Sequence, residues 1–309
     1  MLSANAALKS FLVAVFIFAP ASSARGQTTQ PVALPVRCEY AADSPTPGSR
    51  EIAFPDGDFF RPLLAGPKEP RSSFTLMKVK VLDDGDPTTT EASDYTAGDI
   101  AVGGVVGMWA HATSACSGIQ VNLIGGVFSQ FNLDAYSKDL TNTDFIVGTQ
   151  ISMRSGGLSG RVRIYHQSSH LGDDYLLHNP TEGDINFGFQ AIDGLVSFDR
   201  EWWRVYGGTG YLIFQNDEGH SVLAQGGAEF RSRRKLKIFR PVAGIDLLSL
   251  QKRSWGLTTS ASAGFEWTSP AETRRLRGMI VFHNGYSPFG QFAIQQQSRA
   301  IGLQLQIEF

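Results

Sequence analysis

From about Ser73 onward, apolar and polar residues alternate in short runs separated by polar turns. The last run is the cleanest. Ile301, Leu303, Leu305, Ile307 and Phe309 fall on one face of a strand, and Gly302, Gln304, Gln306 and Glu308 on the other. The same period predicts strands near 74–82, 98–110, 118–131, 143–154, 158–168, 184–198, 202–214, 220–231, 235–248, 255–267, 275–286 and 298–309. That is about twelve, an even number as a single-chain bacterial barrel requires.

A soluble sandwich also alternates, so the polar faces decide. Ile119, Val121, Leu123, Val127 and Phe131 oppose Gln120, Asn122 and Gln130, and Phe145, Val147, Ile151 and Met153 oppose Gln150, Ser152 and Arg154. Val222, Ala224, Ala228 and Phe230 oppose Gln225, Glu229 and Arg231. A sandwich has no need of Arg and Glu on so many strands. A narrow barrel needs them to fill its interior with a hydrogen-bonded network. The predicted fold is therefore all-β: a transmembrane antiparallel β-barrel of residues 73–309 with a short, irregular N-terminal periplasmic segment.

The chain begins as a secretory signal. Lys9 precedes the apolar run Phe11–Pro20, and Ser22, Ser23 and Ala24 offer a cleavage site, so residues 1–24 are expected to be removed on export. Removal takes one of 27 basic residues and none of 29 acidic ones, leaving a net charge of −3. No nucleic-acid partner is expected at that charge. Residues 25–72 are rich in proline, and Phe54–Pro70, with Phe59, Phe60, Leu63 and Leu64, reads as an ordered plug or a brace at the barrel base. Cys38 and Cys116 both fall near the periplasmic side, where a disulfide between them is allowed; two unpaired thiols are the alternative.

With both termini periplasmic, the predicted short turns (112–117, 155–157, 199–201, 232–234, 269–274) share one end. The longer loops 83–97, 132–142, 169–183 and 287–297 share the other, outer end. Two short outer loops, 215–219 and 249–254, depart from that pattern. The predicted partners are outer-membrane lipids and, through the aromatic Phe309 closing the last strand, the barrel-assembly machinery.

The stretch Gly160–Asn179, GRVRIYHQSSHLGDDYLLHN, holds the candidate chemistry. Arg161, Arg163, Tyr165 and Gln167 face the lumen; Val162, Ile164, His166 and Ser168 face out. A hydroxyl beside an imidazole is the minimum for an activated nucleophile. On that reading His166 is the general base and Ser168 the nucleophile of a lipid-acting esterase. Asn179, or Glu182, orients the imidazole, and amides near Ser169–Gly172 form the oxyanion hole. Asp173 and Asp174, or Asp83, Asp84 and Asp86, are the candidates to hold calcium, the one candidate cofactor, near lipid headgroups. His170 and His178 with Asp173 and Asp174 are an alternative metal set. The plainer reading makes HQSSHLGDDY a structural corner, with Ser168 and Ser169 capping the strand and Gly172-Asp173 turning it. Trp202, Trp203, Tyr206, Trp255 and Trp267 read as interfacial girdle residues. Inward Arg161, Arg163, Arg204, Arg231 and Arg277 read as a salt-bridged plug or an anion path.

Three motifs, FPDGDFFRPLLAGPKEP, GRVRIYHQSSHLGDDYLL and RVYGGTGYL, resemble an uncharacterised bacterial family of outer-membrane type, a domain of unknown function. The resemblance runs from about Phe54 to Phe309 and implies the barrel but no activity. His166-Gln167-Ser168 is also similar to the outward-facing His-x-Ser of outer-membrane phospholipase A and of the lipid A deacylase. In those enzymes an Asn or acidic residue follows about a dozen residues beyond the serine; here Pro180 stands nearest that spacing, so Asn179 or Glu182 must substitute. The Ser-Asn-Gly of the phospholipase is replaced by Ser168-Ser169-His170. The functions in view are a structural or assembly barrel, a narrow channel, and a lipid esterase.

Overall fold

Strand pairing runs without a break around a ring, so that the first long strand is bonded to the last. The computed structural model describes residues 50–83, 94–114, 116–178, 187–215, 219–234, 236, 238–269 and 274–308, all within the compact unit Ala33–Phe309. In chain order the strands are β1 (Arg50–Ala53), β2 (Ser72–Asp83), β3 (Asp94–Ser114), β4 (Ser117–Asn132), β5 (Leu140–Ser155) and β6 (Leu158–Leu171). After the short helix α1 (Asp173–His178) come β7 (Phe187–Asp199), β8 (Trp203–Phe214), β9 (His220–Arg231), β10 (Phe239–Leu250), β11 (Leu257–Thr268), β12 (Arg275–Tyr286) and β13 (Gln297–Glu308). Strands β2 to β13 are the twelve staves of a closed antiparallel barrel. Closure removes the sheet edges that an open sheet would expose.

The barrel is apolar outside and polar within. On β13, Leu303 is 66% exposed while Gln306 is 1% exposed, the reverse of a water-soluble protein. Val147, Ile164 and Val196 likewise face outward, and Asn122, Asp144, Arg204 and Glu266 face inward. This is a transmembrane barrel of the outer-membrane type.

β1 and β2 are two pieces of one stave. β1 pairs with β3 from Arg50↔Ala112 to Ala53↔Trp109, and β2 resumes at Ser73↔Ala101. Between them the chain leaves the wall and runs through the lumen as a strap, residues 54–71. It re-enters as β2, leaving a notch beside Val102–Met108 of β3.

The interior is divided. Toward the end where β1 begins and β13 ends it is charged. Toward the loop end an apolar cluster of Phe187, Phe189, Leu212, Phe214, Leu223 and Leu250 fills the lumen. The expectation of a wholly hydrogen-bonded interior is corrected to that extent: β7 carries aromatics on its inward face as well as aliphatics on its outward one.

Other boundaries also shift. β3 starts at Asp94, not 98, because Asp94–Ala97 pair with Met77–Lys80 of β2. β6 continues to Leu171, paired with Asn142, so Ser168 and Ser169 lie inside a strand rather than capping one. Gly172 follows, where a side chain would strike the Leu140 carbonyl. β10 starts at Phe239, not 235; Leu236 and Phe239 close a tight bridge before it. Tyr206 is not a girdle residue. It stands two residues from the inward Arg204, so the strand period buries it in the lumen, where its hydroxyl donates to Asp246 at 2.7 Å. Trp202, Trp255 and Trp267 do face out.

A plugged lumen as the candidate functional site

The strap alternates anchors of two kinds. Its apolar side chains, Phe60, Leu63 and Leu64, are buried against Leu195, Tyr206, Val242 and Met279 of the wall. Its polar groups lie between and beyond them. Asp58 accepts from Gln150 Nε2 at 2.5 Å, from Asn122 Nδ2 at 3.3 Å and from the Ser152 hydroxyl. Burial raises the Asp58 carboxyl, against those hydrogen bonds, the Phe60 amide and the charge of Arg161. Arg61 meets Asp199 at 2.5 Å, and the Leu64 amide donates to Glu229 at 2.7 Å. Phe60 is sandwiched by guanidiniums, Arg161 at 4.7 Å and Arg204 at 4.6 Å from its ring centre.

Lys68 and Glu69 are charged anchors near the strap's far end. Glu69 is 3% exposed and grips Arg161 through both carboxylate oxygens, with Arg163 at 3.9 Å. Burial pushes its pKa up, but the charge and hydrogen bonds of Arg161, with Arg163 and Arg71, overrule this and hold it down at about 2. Arg71 holds the strap in its turn, donating to the carbonyls of Leu63, Leu64 and Gly66 at 2.8, 3.0 and 2.6 Å. Lys68 Nζ lies 2.5 Å from Asp144 and over the rings of Phe128 and Phe289.

Asp144 joins the strap to a second occluding element. The connection 287–296 between β12 and β13 folds inward from the loop end. Its Gly290 amide donates to Asp144 at 3.1 Å, and its Gln291 amide donates to the buried Ser169 hydroxyl at 3.2 Å. Strap and loop thus meet across one carboxylate. Cavities of about 470 and 570 Å³ lie between the strap and the end where β12 begins and β13 ends. Smaller ones of about 110 and 140 Å³ lie beyond the strap.

The candidate esterase residues take the predicted face. His166 and Ser168 lie on the outward side of β6 near its loop end, beside Val147 and Phe145 of β5. Both are half-buried. His166 Nδ1 stands 3.5 Å from Gln190 Nε2 on β7. Among the described residues no hydrogen bond joins His166 to Ser168. Asn179 and Glu182 lie outside the described residues, as do Asp84 and Asp86; Asp83 ends β2. Asp173 and Asp174 are exposed in the first turn of α1. His170 sits edge-on to Phe145, and His178 Nδ1 lies 2.6 Å from Asp139. Among the described residues no group of three or more His, Cys, Asp or Glu side chains is placed to hold a metal. Cys116 is disulfide-bonded; Cys38, the chain's other cysteine, lies outside the described residues, as do residues 1–24 and Phe309.

Arg161, Arg163, Arg204, Arg231 and Arg277 all point inward as the strand period predicts, and they pair there with Glu69, Asp193, Glu229 and Glu266. Sequence reading missed Asp58, Lys68 and Glu69 as the strap's polar anchors. Their signal was the interleaving of charges with Phe60, Leu63 and Leu64 in one proline-rich stretch.

A family model described as "Protein of unknown function (DUF1207)" matches residues 22–309. No curated protein sequence matches the chain. Among solved structures, the β-domain of the Bordetella autotransporter BrkA is similar with 11% identity, a TM-score of 0.42, and coverage of 77% of this chain and 99% of that one. An anion-selective porin from Comamonas acidovorans has 9% identity and a TM-score of 0.34, covering 84% of this chain and 100% of its own. A BenF-like porin from Pseudomonas fluorescens Pf-5 has 8% identity and a TM-score of 0.29, covering 78% and 99%.

Proposed function

Because the chain belongs to this DUF1207 family, whose description assigns no activity, we propose its role from the lumen: a conduit of the bacterial outer membrane held shut by its own strap. The observation that carries the reading is the chemistry of the strap's attachment. A permanent filler needs only apolar packing, whereas Lys68, Glu69 and Arg61 attach the strap through ion pairs that a change of charge at either partner releases. The arginines lining the two larger cavities favour small anions as the solute. Export by residues 1–24, assembly through the Phe309 strand and a periplasmic position for the termini complete the proposal.

Planar-bilayer conductance tests it. Wild type is expected to be closed at rest. A chain with residues 55–70 replaced by a Gly-Ser linker just long enough to span the notch is expected to show a steady, anion-preferring current. A folded, heat-modifiable strapless barrel that carries no current overturns the reading.

A further inference from the structure

Arg253 is a buried cation of the lumen with no counter-charge among the described residues. Arg253 ends the short 3-10 turn between β10 and β11 and is 8% exposed. Its Nε is buried without an acceptor, and among the described residues its guanidinium has no carboxylate partner. Its one close companion is the ring of Tyr286, 4.9 Å away. Burial lowers its pKa to about 10, which leaves it charged at neutral pH.

Arg253 lines the cavity of about 140 Å³ on the loop side of the strap. Much of that wall is apolar: Phe187, Phe189, Leu212, Phe214, Leu223 and Leu250. The other ionisable groups around it are already committed. Asp193 is held by two nitrogens of Arg163, and Asp246 accepts from Tyr206 and Gln225. Glu69 is engaged by Arg161, and Lys68 by Asp144. His283 contacts the Ser260 hydroxyl through Nδ1 at 3.1 Å and the Tyr286 carbonyl through Nε2 at 3.0 Å. Among the described residues the cavity therefore has an apolar body and one guanidinium, that of Arg253, which no carboxylate meets; Asp246, the acid on its wall without a salt bridge, is bonded to Tyr206 and Gln225 instead.

A buried, unpaired charge is costly unless something completes it. We propose that this cavity binds a small organic carboxylate with a compact apolar body, its carboxylate on Arg253 and its body against the Phe187–Leu250 cluster. Arg presents a fork of donors matched to a carboxylate. The volume sets the size, since an apolar cavity of about 150 Å³ holds benzene. A benzoate-sized anion fits that description, and a long acyl chain does not. The proposal concerns occupancy of the cavity and holds whether or not the strap moves.

Calorimetric titration of sodium benzoate into the full barrel, folded in an uncharged maltoside detergent, is the test. Wild type is expected to bind one benzoate per barrel saturably, with neutral toluene bound at least tenfold more weakly. Arg253→Gln is expected to lose at least tenfold in benzoate affinity, and Arg253→Lys to recover part of it. Leu223→Trp fills the apolar wall, keeps the charge, and is expected to abolish binding; it carries the test if Arg253→Gln does not fold. Absence of saturable binding to wild type, or binding that neither variant weakens, overturns the proposal.

Discussion

Glu69→Gln is the sharpest perturbation of the plug. The substitution keeps the shape and one hydrogen-bonding oxygen but removes the charge that Arg161 and Arg163 face. Its size follows from linkage. A folded pKa of about 2, against the ordinary glutamate value of 4.5, corresponds to on the order of 3 kcal/mol, at about 1.4 kcal/mol for each tenfold change in proton affinity. Loss of one partner from a buried pair falls in the same range, about 3–5 kcal/mol. The docked-to-released ratio of the strap is thus expected to fall by about 100-fold. Limited proteolysis of the refolded barrel reads it: the wild-type strap is protected, and the Glu69→Gln strap is cut near Arg61 or Arg71 while the wall survives. The pH dependence has a fixed sign. Since the folded pKa is depressed, the stabilisation is complete above about pH 4.5 and is lost as the pH falls toward 2, so the wild-type strap should loosen in that window. Equal protection of both proteins across pH 2–7 refutes the reasoning.

Three more outcomes are expected. Phe60→Ala removes the ring between two guanidiniums and a buried apolar contact, costing about 3–5 kcal/mol of strap docking by the same proteolysis, with barrel heat-modifiability retained. Ser168→Ala leaves folding unchanged; hydrolysis of phospholipid or lipopolysaccharide micelles that is present in wild type and vanishes in the variant would establish the His166–Ser168 pair as chemistry, whereas its absence from wild type removes the esterase. Cys116→Ser eliminates the mobility difference between oxidised and reduced unfolded chain on a denaturing gel, which wild type should show.

Much of the barrel was legible because lipid outside and a polar lumen inside impose a strict two-residue period. β12, paired through its whole length with β13, coincides with its predicted bounds. The ends were harder to read. Asp94-Tyr95-Thr96 looks like turn chemistry, and only pairing with β2 makes it strand. Ser169 looks like a cap, yet it is buried and bonded to Asn142 and to the inward loop. The strap was visible as an ordered, plug-like stretch, but its partners were not. Glu69 and Arg161 are 92 residues apart, and nothing local to either selects the other. The leftover charge of Arg253 was equally hidden, because isolation emerges only when the surrounding acids are assigned to other partners.

The strap differs from a cork in being sewn into the wall at both ends, through β1 and β2 on the same neighbour β3. It can buckle but has no free end to withdraw. Any opening is then an intramolecular excursion that reverses without a search for a partner, at a closure entropy that grows slowly with loop length. A single cleavage between Pro62 and Pro67 would change its character altogether. The tether would become two short tails, and a reversible valve would become one that opens once.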